Sequence, residues 1–363
     1  MAKIKISCPH CRRMLQCAER FGGKKVKCPH CKNYLPVPGV SGQVATPLQP
    51  KNRRRRGGRK RILVYGGGLI FLVLAVLAGL WLVQPVRLRW PDRRPVGTLF
   101  LASHYHSSAT NPRGWFNDPG LDVTGPGGAQ RFRQALMDYT DRSLTILKRT
   151  GAQGVIVWDL EGEQFPHKTS FIGEPRQLQR LAPEMAAAAD EFFARLRGAG
   201  LKIGLTVRPQ ELVFAEAGVP HQSAALDIHR VLLEKMDYAR SRWGATIFYV
   251  DSNGGVLRPD ELWQLRRLAV QRPDYLLIPE HTWLPYRTCC APYAAVRQGK
   301  LSVNDKWANK LFPGSFQALD ISDAAGDWAE ITVARSRGDL LLFRAWCWGP
   351  ECALLEGLAH DRQ

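Results

Sequence analysis

From Val96 to the C-terminus the chain repeats one hydrophobic pattern: apolar positions at helical spacing, a stop containing Gly or Pro, a short run that is apolar throughout, then polar residues. The apolar runs are Val155 to Asp159 after Arg149–Gly154, Leu201 to Val207 after Arg197–Gly200, Ala245 to Asp251 after Arg242–Gly244, Tyr275 to Glu280 after Arg272–Asp274, and Leu340 to Phe343 after Arg337–Asp339. Gly97 to Ala102 and Ser315 to Leu319 add two more, and residues 291–296 form a weaker eighth. Runs that are apolar at successive positions, separated by helices, belong to a parallel sheet covered on both faces. Eight such units in about 265 residues have the size of a (β/α)8 barrel, expected over residues 96–363. An open doubly wound sheet is the alternative, but its usual Gly-rich phosphate loop is missing, because the first strand runs into Ser103-His104-Tyr105-His106.

The front of the chain is patterned differently. Residues 62–83 hold 22 positions without a charge, about 33 Å as a helix, which is the length of a transmembrane span. Residues 39–61 form a flexible basic linker before it, and residues 84–95 a juxtamembrane linker after it. Charge follows this division: of the formal +19, residues 1–61 carry 17 Lys+Arg against the single acid Glu19, which leaves 34 basic against 31 acidic residues beyond them. A protein basic throughout is excluded. Eight cations between Lys51 and Arg61, beside the span, place the N-terminus in the cytoplasm, the barrel outside it and anionic lipid headgroups against the Arg run. That reading accounts for the run better than nucleic acid does.

Cys8-Pro-His-Cys11 and Cys28-Pro-His-Cys31 are two CxxC knuckles with 16 residues between them, a spacing that lets two tight turns present four thiolates to one tetrahedral Zn2+. Cys17, His10 and His30 are spectators in this arrangement. The segment between the knuckles is too polar for a core, so the metal is expected to supply most of the folding free energy of a ribbon over residues 1–38. With Tyr34-Leu-Pro-Val-Pro38 as its last strand, the segment is similar to the short N-terminal zinc ribbons of bacterial membrane proteins, planctomycete ones among them.

In a barrel, chemistry gathers where the strands stop. The second strand ends in Trp158-Asp159-Leu160-Glu161, the third in Arg208-Pro-Gln210, the fourth in Asp251-Ser-Asn253, the fifth in Glu280-His281, and the eighth runs into Trp346-Cys347-Trp348. Carboxylates ringed by Trp158, Trp283, Trp346 and Trp348 suit a sugar, which offers hydroxyls to acids and C–H faces to indoles. Hydrolysis of a glycosidic bond needs two acids, and Asp251 and Glu280 are the expected catalytic pair. Asp159, Glu161, Arg208, Asn253, His281 and the four tryptophans are the expected substrate-binding residues. The loop over residues 107–130, with Trp115-Phe116, has the length of a lid, or is decoration. His104 and His106 share a strand face that would permit a metal, without an evident third ligand, and Cys289-Cys290, Cys347 and Cys352 leave disulfides open.

Gly200-Leu-Lys-Ile-Gly-Leu-Thr-Val-Arg-Pro209 resembles the third strand of melibiase-type (clan D) α-glycosidases, and Phe248-Tyr-Val-Asp251-Ser-Asn253 resembles the fourth, with Tyr249 where that pattern has Lys. The resemblance implies a sugar-acting barrel with Asp251 as nucleophile; Glu280 as proton donor is a separate assignment. The sequence thus supports a membrane-anchored glycoside hydrolase acting on an extracytoplasmic glycan. Two alternatives stand beside it: a noncatalytic glycan-binding barrel, and a membrane-tethered zinc ribbon whose work is to hold nucleic acid or a cytosolic partner.

Overall fold

A computed structural model describes residues 3–18, 21, 24–37, 86, 88–102, 107–163, 172–216, 218–254, 258–297, 300–301, 308–321, 326–345 and 356. The chain divides into two compact units, residues 1–72 and 73–363. Among the described residues no helix is long and apolar enough to cross a membrane; the apolar stretch 62–83, the Arg run, His104, His106, Trp346, Trp348, Cys347 and Cys352 lie outside them.

The first unit is one hairpin built twice. β1 (Lys3–Ser7) pairs antiparallel with β2 (Met14–Ala18), and β3 (Lys25–Lys27) pairs with β4 (Tyr34–Pro36). Each hairpin turns through its Cys-Pro-His-Cys knuckle and needs a left-handed residue just after it, Arg12 at φ 56° and Lys32 at φ 63°. Among the described residues, Ile6, Leu15, Leu35 and Val37 join Cys8 and Cys28 in its buried cluster.

The second unit runs β5 (Val96–Leu99), α1 (Gly128–Arg149), β6 (Gly154–Val157), α2 (Leu178–Leu181), α3 (Pro183–Gly198), β7 (Lys202–Val207), β8 (Glu211–Phe214), β9 (Pro220–Ser223), α4 (Ile228–Trp243), β10 (Ala245–Val250), α5 (Pro259–Gln271), β11 (Leu276–Pro279), β12 (Tyr293–Arg297), β13 (Lys300–Leu301), α6 (Ala308–Leu311), β14 (Ala318–Ile321), α7 (Trp328–Ser336) and β15 (Leu340–Arg344). Eight strands pair in parallel in the order β11-β10-β7-β6-β5-β15-β14-β12, with β13 antiparallel on β12 and β8-β9 a separate hairpin. The end strands β11 and β12 share no ladder, and the Ala291 N–H donates to the Leu277 carbonyl at 2.9 Å across the gap between them. This is the barrel-like sheet with alternating helices that the hydrophobic pattern predicts.

Strand alternation splits the core into two layers. Ile156, Ile247, Tyr249, Leu276, Ile278, Leu340 and Leu342 form one cluster inside the sheet, while Val155, Val157, Phe248, Val250 and Leu277 join the helices outside it. α1 meets the sheet through Phe132, Leu136, Tyr139, Ser143, Ile146 and Leu147, an i, i+3, i+4 face. It comes close because Gly97 has no side chain: a Cβ there would lie 2.3 Å from Leu147 Cδ2. Asp227 caps α4 by accepting from the Arg230 amide, and Gly244 ends that helix at φ 72°.

Two segments differ from the sequence reading. Residues 88–95, expected as a linker, pack under the barrel: Trp90 is 7% exposed, joins the inner cluster, and donates from Nε1 to Gln153 at 3.1 Å. The 107–130 loop, expected as a lid or decoration, is built into the outer core. Asn111 clasps Trp115 and Asp118 through both ends of its amide, and Trp115, fully buried, donates to Glu184 at 2.7 Å.

Candidate functional site

On β10 and β11 the inward positions are Ile247, Tyr249, Leu276 and Ile278, so the next inward residues in register are Asp251 and Glu280. Val250 pairs with Pro279, which makes the two acids neighbours on adjacent strands. They are knitted through Ser252, a left-handed residue at φ 55°. Its amide donates to Glu280 Oε2 at 2.8 Å and its hydroxyl to Asp251 Oδ2 at 3.0 Å. Arg208, from the end of β7, places its guanidinium 2.5 Å from the same Asp251 oxygen. Each carboxylate therefore has one oxygen anchored, and among the described residues Asp251 Oδ1 and Glu280 Oε1 accept no hydrogen bond.

Asn253 supports this pair from behind. It is 3% exposed, donates to the Tyr286 hydroxyl at 2.7 Å and accepts from the Glu280 amide at 2.9 Å, so it fixes the backbone that carries Glu280. The Gly254 amide continues the clasp onto Glu261 at 2.6 Å.

The sequence reading missed Asp320. It stands on β14 in register with Ala295 and Leu342, and accepts from the Tyr293 hydroxyl at 2.8 Å. Its signal was an acid between two strand-facing apolar residues, Leu319 and Ile321, in a run read as ending at Leu319. Asp251, Glu280 and Asp320 all bear on Tyr249. Burial first, and then these carboxyls with Glu280 foremost, push its phenol well above its ordinary value. Tyr249 thus stays neutral beneath three acids.

The tryptophan platform expected at Trp158 is largely covered. Trp158 is 8% exposed and stacks on Tyr249 with ring centroids 4.4 Å apart, between Phe100 at 5.1 Å and Tyr293 at 6.3 Å. This aromatic layer fills the barrel just below the acids. Trp283 is half-buried against Tyr286, and His281 is exposed near Glu261.

Asp159 and Glu161 are turned elsewhere. Because Trp158 is the inward residue of its strand end, Asp159 faces outward, and its two oxygens accept from the Leu101 and Ala102 amides at 2.7 and 2.6 Å. Burial pushes its carboxyl up to about 7 against the pull of those amides. Glu161 accepts from the Glu174 amide at 2.7 Å and is likewise raised by burial to about 7. Lys235 is fully buried beside this segment and donates to the Arg208 and Gln210 carbonyls at 2.9 and 2.7 Å and lies 3.3 Å from Glu174. These groups hold the loops after β6 and β7, including the backbone of Arg208.

In the first unit the four predicted cysteine ligands come together. The sulfurs of Cys8, Cys11, Cys28 and Cys31 all lie within 4.8 Å of one another, with Cys8 to Cys31 at 3.6 Å and Cys11 to Cys28 at 3.8 Å. The Cys31 amide, against burial and with the His30 amide, holds the Cys28 thiol down to about 6; Cys8 is lowered the same way by Cys11 and His10. Cys17 stands outside the cluster. In the barrel, Cys289 and Cys290 are buried with sulfurs 3.5 Å apart.

Neither a family model nor a curated protein matches the sequence. Among solved structures, the chain is similar to an α-amylase from Geobacillus thermoleovorans complexed with acarbose, at 10% identity and TM-score 0.44 over 73% of this chain and 77% of that one. It is similar to the α-N-acetylgalactosaminidase NagBb from Bifidobacterium bifidum, a quadruple mutant, at 14% identity and TM-score 0.40 over 74% of this chain and 51% of that one. A maltogenic α-amylase from Thermotoga neapolitana follows at 12% identity and TM-score 0.35, over 55% and 49%. These neighbours are glycoside hydrolases, and the chain spans about half the length of the last two.

Proposed function

We propose that the barrel is a glycoside hydrolase acting on an extracytoplasmic glycan. The observation that carries this reading is the in-register placement of Asp251 and Glu280 on neighbouring strands, each with one oxygen anchored and one available. Adjacent strands lie about 4.8 Å apart, near the roughly 5–5.5 Å carboxyl separation of retaining glycosidases and short of the wider gap of inverting ones. Asp251 then attacks the anomeric carbon while Glu280 gives its proton to the leaving oxygen. In the second step Glu280 takes a proton from water, which displaces Asp251 and releases the sugar with its original anomeric configuration. Asp320, on β14 two strands from Glu280 round the slit, adds a third acid for sugar hydroxyls.

The test is product release from an oligosaccharide and aryl-glycoside panel by the full chain in detergent, with product anomers read by NMR. Glu280→Gln is expected to lose about 10²–10⁴-fold, and Asp251→Asn at least as much. Retained activity in both variants, or inversion, would overturn the pairing; inversion would move the second acid to Asp320. A noncatalytic glycan-binding barrel is the second reading, favoured by the Arg208 guanidinium on Asp251 at 2.5 Å. Glycan binding by both variants and the parent chain, without product, would establish it.

The four sulfurs fit a structural zinc ion. A tetrahedron with Zn–S bonds of about 2.3 Å has edges of about 3.8 Å, against the observed 3.6 and 3.8 Å. Cys8, Cys11, Cys28 and Cys31 would hold the ion, which would supply folding energy rather than catalysis. Residues 62–83 are proposed as the membrane anchor, with the ribbon in the cytoplasm and the barrel outside it.

A further inference from the structure

The barrel has two ends, and the chain enters at the end opposite the acids. Trp90, just before β5, bonds to Gln153 beside β6, and its ring lies 4.8 Å from the ammonium of Lys202 at the start of β7, so residues 88–95 close the N-terminal ends of the strands. Two cavities open on this same end. One of about 510 Å³ is lined by Val86, Leu88, Phe312, Pro313 and Phe316 with Arg287. The other, about 430 Å³, lies where α1 and α3 end and is lined by Leu144, Leu147, Ala152 and Leu201 with Arg94 and Lys148. Each joins an apolar lining to a cation; Arg94 is paired with Asp92 and Arg287 is buried on Gln317, so Lys148 is the lining cation without an ion pair among the described residues.

The helices add to this polarity. Lys148 and Arg149 end α1, Arg195 and Arg197 end α3, and Arg240 and Arg242 end α4, whereas acids open α3, α5 and α7 at the site end. Four of these six cations are paired, Arg149 with Glu356, Arg195 with Asp141, Arg240 with Asp274 and Arg242 with Asp190, whereas Lys148 and the exposed Arg89 make no ion pair among the described residues.

We propose that this end of the barrel is a lipid-docking face, seated on an anionic bilayer surface with the acid-bearing mouth turned away from the membrane. The proposal rests on the reading of residues 62–83 as the anchor. Four residues separate Val83 from Leu88, and the five steps between them reach roughly 17 Å when fully extended, too short to let the barrel turn its mouth to the bilayer. Headgroup phosphates accept from the cations while the recesses take apolar groups of the interface. A glycan therefore approaches from the side away from the membrane.

The test uses the full chain in vesicles of phosphatidylcholine, with or without phosphatidylglycerol, that carry a nitroxide quencher at the headgroup. A fluorescent amino acid replaces either Thr145, exposed near the end of α1, or Glu216, exposed in the turn between β8 and β9. Quenching at Thr145 is expected to exceed that at Glu216 at least threefold. It should fall at least twofold without phosphatidylglycerol, and likewise in the Arg89→Glu, Lys148→Glu double variant. Equal quenching at the two positions would overturn the orientation. Quenching at Thr145 that ignores both lipid charge and the double variant would overturn docking and leave only a tether. Failure of the chain to float with vesicles would overturn the anchor reading itself, an outcome distinct from the other two.

Discussion

The ribbon and the barrel reach a defined structure by opposite means. Among the described residues of 3–37, four aliphatic side chains and two cysteines are buried, and on the zinc reading proposed above the order of the hairpins would depend on a cation between four clustered sulfurs. The barrel has a layer of side chains inside its strands and another between strands and helices, and needs no ion to fill either. Each region is accordingly sensitive to what the other ignores.

On the proposed zinc reading, removing the metal gives the largest expected effect. Structural zinc in such ribbons accounts for about 10–16 kcal/mol of apparent folding energy, so a strong chelator or Cys28→Ser should unfold residues 3–37 while the barrel melts at an unchanged temperature. Hydrogen exchange resolves the two regions; a barrel that loosens with the metal would break the comparison. Next comes Phe192→Ala, which empties a fully buried site in the outer core and should cost about 3–5 kcal/mol in barrel stability by denaturant melts. The ribbon's affinity for zinc should not change.

Acidity should drive the two regions in opposite directions. Asp159 and Glu161 are raised to about 7 in the fold, above the roughly 4 of an unfolded chain. Between these values these two groups hold more protons in the folded barrel than in the unfolded one. Their contribution to its stability is therefore full below about pH 4 and is lost as pH rises through about 7. Zinc bound as proposed would compete with protons for the thiolates, so the first unit would strengthen over the same rise. Barrel melting temperature and zinc retention measured from pH 4 to 8 should show these opposite slopes, and parallel slopes would refute the assignment. The smallest effect is Asp227→Ala, which removes the cap on α4 and should lower barrel stability by about 1 kcal/mol.

Much of this was legible because strands buried on both faces and knuckles at fixed spacing are local patterns. The clustering of the four cysteines, the alternation of strand and helix, and the neighbouring positions of Asp251 and Glu280 all follow from short local patterns. What was not legible is direction. Trp158 takes the inward position on its strand end, so Asp159 turns outward onto two amides, and Asp320 enters the site because β14 runs two residues past the point where its apolar run was read as ending. The 107–130 loop gave no sign that Asn111 would clasp it into the core. Strand parity and the exact strand end, rather than residue type, decide which acid reaches the mouth.

The gap between β11 and β12 makes the barrel a split ring rather than a hoop. Seven junctions are laddered, and the eighth is bridged by the Ala291 to Leu277 bond and by the chain itself over residues 280–292. A split ring yields at its slit, so forced unfolding should start there and spread to β11 and β12 before the strands opposite. Glu280 lies at one lip of that slit. Widening of the ring would therefore move Glu280, the proposed proton donor, while Asp251, inside a laddered junction, kept its place.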